Sequence, residues 1–131
     1  MVLSALRQPQ RNASLVAWLG SVPENGIFLS VVTIGKIEKG IAAVTPRDPG
    51  FARRLAHWLD EVLDGFADRI LPVDIAAARR WSRVAAAHGH AGADLLIAAT
   101  ALEHGLVVAT RNTRHFADTG VRLVDPFSMA E

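Results

Sequence analysis

The sequence predicts an α/β sandwich: a central parallel sheet covered on both faces by helices, in one domain over residues 1–131. Three observations predict it. Short apolar runs alternate with longer amphipathic ones along the chain. The short runs, "IFLSVV" (27–32), "RILPV" (69–73), "LVVAT" (106–110) and "VRLVD" (121–125), are apolar on both faces, as strands buried between two helix layers are. At 131 residues, 50% hydrophobic and 21% charged, the chain can build one core and leaves little for a second.

The elements are laid out in order along the chain. Leu15, Val16, Trp18 and Leu19 recur at helical spacing before the breaker Pro23-Glu24-Asn25-Gly26. "IFLSVV" reads as a buried strand, and Thr33 can cap the helix "IGKIEKGIAAV" after it. Pro46 and Pro49 bracket a loop. In the helix over 51–66, Phe51, Leu55, Trp58, Leu59, Val62 and Leu63 share one side, opposite Arg and Asp. "RILPV" is the next strand. Asp74 is a good N-cap for "IAAARRWSRVAAAHG", which Gly89 and Gly92 end. Asp94 begins the helix "LLIAATALEHG", with Gly105 as its C-cap. "LVVAT" and "VRLVD" complete the sheet. A helix-like opening is unusual here, because a short α/β domain generally places an early strand near the centre.

Composition excludes several classes. The chain has no cysteine, which removes disulfides, zinc-thiolate sites and Cys nucleophiles and fits a reducing cytoplasm. Its start, "MVLSALRQPQRN", has no secretory pattern, and no stretch reaches the ~18 apolar residues of a membrane span. With 14 basic and 13 acidic residues, a net charge of +1 neither demands nor excludes an RNA-binding face. There is no G-x-S-x-G, P-loop or G-x-G-x-x-G. His88 and His90 form H-x-H in a glycine turn, with His104 and His115 downstream; a surface loop is commoner than a zinc site for such a pattern. Trp18, Trp58 and Trp81 lie on helical faces, where packing is their default role.

One segment carries chemistry: "GADLLIAATALEHGLVVATRN", residues 92–112. Sites in open α/β sheets form at the carboxyl ends of the strands. A helix antiparallel to its following strand brings Asp94, at the helix start, near Asn112, past the strand's end. Two oxygen-bearing side chains at that edge can hold Mg²⁺, a hard cation. On the residues alone the plainer roles are commoner: Asp94 as a helix cap and Asn112 as a strand stop.

"GADLLIAATALEHGLVVATRNTRHF" resembles the carboxyl half of PIN-domain proteins of the VapC type. "FLSVVTIGKIEKGI" resembles the family's second strand and the helix after it. "RILPVDIAAARRWS" resembles its middle strand and helix, and "MVLSALRQPQ" resembles the segment just after its opening strand. The resemblance implies a PIN-like three-layer α/β/α sandwich and metal-dependent RNA cleavage by the toxin of a type II toxin–antitoxin pair. It implies a site of three or four acidic positions holding Mg²⁺ or Mn²⁺, a cognate antitoxin and an RNA substrate as partners, a cytoplasmic setting and a homodimer. Within that site, Asp94 matches the third acid and is the metal ligand. Asn112 sits at the fourth position and joins Asp94 as a catalytic candidate. Thr110 and Arg111 beside it are candidate RNA or phosphate contacts.

The chain departs from the family at two acids. Met1 falls where the opening Asp-Thr-Asn motif ends, so the opening strand and its Asp are expected to be missing, with a gap at the sheet's centre. Either the true start lies upstream or catalysis has been lost. Lys36 stands at the family's Glu, where an ammonium repels the metal and can pair with Asp94 instead. Glu38 does not replace it, since two helical positions turn a side chain by about 200°. The expectation is weak metal binding and impaired cleavage. The alternative is a binding module that dimerises and takes an antitoxin or RNA, with the helix over 51–66 as the groove for the antitoxin peptide and Arg79, Arg80 and Arg83 mattering more than Asp94.

Overall fold

In the computed structural model of the chain, residues 2–3, 26–89, 92–110 and 113–125 are described. The first strand of the sheet, β1, is Val2–Leu3. After it come β2 (Phe28–Ser30), helix α1 (Val31–Val44), α2 (Pro49–Gly65), β3 (Ile70–Leu71), α3 (Ile75–His88), α4 (Ala93–Glu103), β4 (Val108–Ala109), the short α5 (Thr113–Phe116) and β5 (Leu123–Val124). The helix expected around Leu15–Leu19 lies outside the described residues.

All five strands are parallel, in the order β3-β2-β1-β4-β5. The centre of the sheet is therefore filled, contrary to the expected gap. Val2 pairs with Phe28 on one side and Val108 on the other, its N–H donates to the Val107 carbonyl at 2.7 Å, and it is fully buried. Two residues suffice because β2 and β4 are themselves only three and two residues long.

Helices cover both faces, as the α/β/α layering requires. On one face Val2 and Val108 pack with Ile97, Ala98 and Ala101 of α4 and Phe116 of α5. On the other, Leu29 and Ala109 pack with Ile34 of α1 and Val62 of α2. The small residues of "IAATA" let α4 lie close to the sheet: Ile97, Ala98, Ala99, Thr100 and Ala101 are all fully buried. Thr100 satisfies its buried hydroxyl by donating to the Leu96 carbonyl at 2.8 Å.

Several boundaries differ from the pattern in the sequence. The strand "IFLSVV" stops at Ser30, and Val31 and Val32 are helical. The cap of α1 is Ser30, whose Oγ accepts from the Val32 N–H at 3.0 Å, and not Thr33, which is buried one turn inside. Pro49 is the first residue of α2, a position where its missing N–H costs nothing, behind the cap Asp48. Asp74 caps α3 as expected, accepting from Ala77 at 2.8 Å, and Gly89 ends it at φ 73°.

Arg69 ties three elements together between α2 and β3. Its guanidinium donates to the Ile27 carbonyl at 3.2 Å and the Gly65 carbonyl at 2.8 Å, and lies 4.6 Å over the Phe66 ring. Its own carbonyl accepts from Leu29 of β2.

Candidate functional site

The strand order reverses direction at β1: β2 and β3 extend one way and β4 and β5 the other. The crevice outside the carboxyl ends of β1 and β4 is therefore the topological switch point, where open parallel sheets place their ligands. Three helices present side chains there, each fixed by local chemistry.

Helix α1 rises directly from the end of β2 through the Ser30 cap and carries Lys36 in its second turn. Helix α4 runs back along the sheet into β4, the Leu106 N–H closing on the Ala101 carbonyl, so its N-terminus stands near the carboxyl end of β4. Gly92 is its N-cap and offers no side chain; Asp94 is the second helical residue and lies in the first turn, where the helix dipole favours a carboxylate. Helix α5 comes soon after β4, and Phe116, fully buried, anchors the turn that carries His115.

These three side chains meet. Lys36 Nζ lies 3.5 Å from Asp94 Oδ1, and His115 Nδ1 lies 2.8 Å from Asp94 Oδ2. Both oxygens of Asp94 are thus engaged. The carboxylate is 25% exposed, Lys36 42% and His115 61%, so the cluster opens to solvent. The Lys36 contact agrees with the pairing expected from the sequence. The capping role for Asp94 does not appear, because its oxygens face side chains of other helices.

His115 is the member of the cluster that the sequence does not single out from its other scattered histidines. The available signal was its place: a helical turn just after β4, at the same sheet edge as the Asp94 helix start. Thr110 follows β4 and is 3% exposed, its N–H donating to the Val124 carbonyl at 2.9 Å, which leaves little of it for a phosphate to touch. Asn112 and Arg111 lie outside the described residues. Glu38 is exposed on α1, and among the described residues no ion pair joins it to the cluster.

The described residues of the cluster do not by themselves fit a divalent cation. Mg²⁺ needs near-octahedral oxygen ligands, and the cluster offers one carboxylate. Among the described residues no group of three or more His, Asp or Glu is placed to hold a metal. Lys36 adds a penalty. Unit charges about 4 Å apart interact by about 1 kcal/mol even in water, so a divalent ion beside this ammonium loses about 2 kcal/mol, roughly thirtyfold in affinity.

Comparison with known proteins gives a consistent set of matches. A family model described as PIN domain matches residues 1–121. VapC ribonuclease Y4jK of Sinorhizobium fredii is 33% identical over 136 residues, covering 98% of this chain and 95% of the relative. Toxin FitB of Neisseria gonorrhoeae is 36% identical over 133 residues, covering 96% and 94%. The crystal structure of FitAcB from Neisseria gonorrhoeae superposes with a TM-score of 0.79 at 34% identity, over 97% of this chain and 99% of that one.

Proposed function

Because the chain belongs to the PIN-domain family, we propose that it is the toxin-type member of a toxin–antitoxin pair, related to RNA-cleaving enzymes but impaired in metal-dependent cleavage. A relative named as a ribonuclease and another named as a toxin, each matching nearly the whole chain, support the class. The observation that carries the impairment is the Lys36–Asp94 contact at 3.5 Å. The family's chemistry uses a metal to lower the pKa of a water and polarise a phosphoryl oxygen. Here Asp94 is held by an ammonium and an imidazole, and Lys36 supplies charge of the wrong sign for a metal ligand.

In this reading Asp94 remains at the position of the metal ligand, with Asn112 as the second catalytic candidate and Arg111 as a candidate RNA contact, while Thr110, 3% exposed, offers RNA little surface. Any Mg²⁺ or Mn²⁺ binding is weak. The partners are a cognate antitoxin, RNA and a second copy of the chain, in the cytoplasm. No helix among the described residues is long and apolar enough to cross a membrane.

The second reading, a module that binds antitoxin or RNA without cutting, is favoured by the engagement of both Asp94 oxygens. Single-stranded RNA incubated with the purified chain separates the two. Slow cleavage that needs Mg²⁺ and is lost in Asp94→Asn supports an impaired enzyme. No cleavage in any metal, with antitoxin binding intact in Asp94→Asn, supports the module. Fast Mg²⁺-dependent turnover sinks both.

A further inference from the structure

We propose that Lys36 makes the sheet edge a metal-independent binding site for a phosphodiester of single-stranded RNA. The proposal rests on RNA as the ligand class of the proposed function, and it concerns how the chain holds RNA, not whether it cuts it.

The described cluster offers a divalent cation one carboxylate and an opposing ammonium. A site for an anionic backbone needs positive charge at the crevice. Elsewhere a metal ion can supply it; here Lys36 stands in the place from which a metal is repelled. An ammonium has three N–H donors and no acceptor. One direction is taken by Asp94 Oδ1 at 3.5 Å, and the side chain is 42% exposed, so donors remain for solvent or for a phosphate oxygen.

Asp94 sets the position of that charge. A lysine on an exposed helix face ordinarily samples many rotamers, and ordering it on a ligand costs about 1.5–2 kcal/mol. Asp94 already restricts Lys36, and His115 holds Asp94 from the other side at 2.8 Å. Residues from α1, α4 and α5 thus converge on one carboxylate, which keeps the ammonium at the switch point.

Lys36 and Asp94 cancel, and Arg114 is exposed on the same short turn as His115. A bare Asp94 at this edge would repel RNA; with Lys36 on its Oδ1 that repulsion is offset.

The test is fluorescence anisotropy with a labelled single-stranded oligoribonucleotide, in EDTA and in Mg²⁺, over a series of salt concentrations. The wild type is expected to bind with the same affinity in both buffers. Lys36→Ala and Lys36→Gln are expected to weaken binding about tenfold and to lower the salt slope by about 0.7, the loss of one phosphate contact on a single strand. Lys36→Arg should keep most of the affinity. Arg53→Ala, which removes the same charge from an exposed position on α2, should leave the slope nearly unchanged. RNA binding that ignores Lys36, or that requires Mg²⁺, overturns this proposal and leaves RNA as the ligand class. No RNA binding in either buffer overturns both.

Discussion

Lys36 on α1 and Asp94 on α4 face each other at 3.5 Å across the switch point of the sheet, and His115 takes the second oxygen of the same carboxylate at 2.8 Å. One carboxylate therefore joins three helices with two nitrogen donors. Among the described residues this is one carboxylate, where a divalent cation takes several oxygen ligands.

Lys36→Glu should convert the cluster into a cation site. Without metal, Glu at 36 and Asp94 repel, and the melting temperature falls below that of the wild type. With Mn²⁺ at a hundred times its Kd, binding to the folded state adds about 2.7 kcal/mol. For a domain of this length that is a rise on the order of 10 °C. Thermal melts of the variant with EDTA and with Mn²⁺ measure it; an equal melting temperature in both means that a second carboxylate does not suffice.

Val2→Ala probes the central strand. Val2 is fully buried between β2 and β4. Shortening it removes packing on one face of the sheet and should cost about 1–3 kcal/mol in urea unfolding. A loss under about 0.5 kcal/mol, typical of surface positions, contradicts the placement of Val2 in the core.

Arg69→Ala should destabilise by about 2–3 kcal/mol. Two carbonyls, of Ile27 and Gly65, lose their donor, and the stacking on Phe66 goes with it. Arg69→Lys should recover only part of the loss, because an ammonium lacks the planar fork that spans both acceptors. Equal stability of Arg69→Lys and the wild type would mean that the fork is unimportant.

The ends of α3 give a matched pair. Asp74→Ala removes the acceptor for Ala77 N–H and should cost about 1 kcal/mol, while Asp74→Asn should be near neutral. Gly89→Ala meets no atom within 4 Å, so its expected cost of about 1–2 kcal/mol is the left-handed backbone at φ 73° alone. Denaturant midpoints of the three variants check both values.

How much of the fold and the site was legible in the sequence depends on the range of the interaction. Asp74 and Gly89 act on their own backbone within a turn, and their roles could be read from position; the cap expected at Gly105 falls one residue earlier, on His104. The Ser30 cap was obscured because Val31 and Val32 are β-branched and extend the strand pattern; the hydroxyl one residue before the helix outweighs that propensity. Val2–Leu3 was hidden by its brevity, since two residues carry no periodicity. At the site, the Lys36–Asp94 contact was reachable because each residue fell within a recognisable segment. His115 was not, because its approach to Asp94 depends on Phe116 anchoring α5 in the core and on β4 ending where α4 begins. Neither fact is local.

The measurement that tests the central claim most directly is calorimetric titration of the wild-type chain with Mn²⁺, alongside Lys36→Glu and Asp94→Asn. The account predicts no saturable heat for the wild type at millimolar metal and one-site binding for Lys36→Glu. Stoichiometric Mn²⁺ binding by the wild type that Asp94→Asn abolishes would contradict it, because Asp94 would then be a working metal ligand beside Lys36.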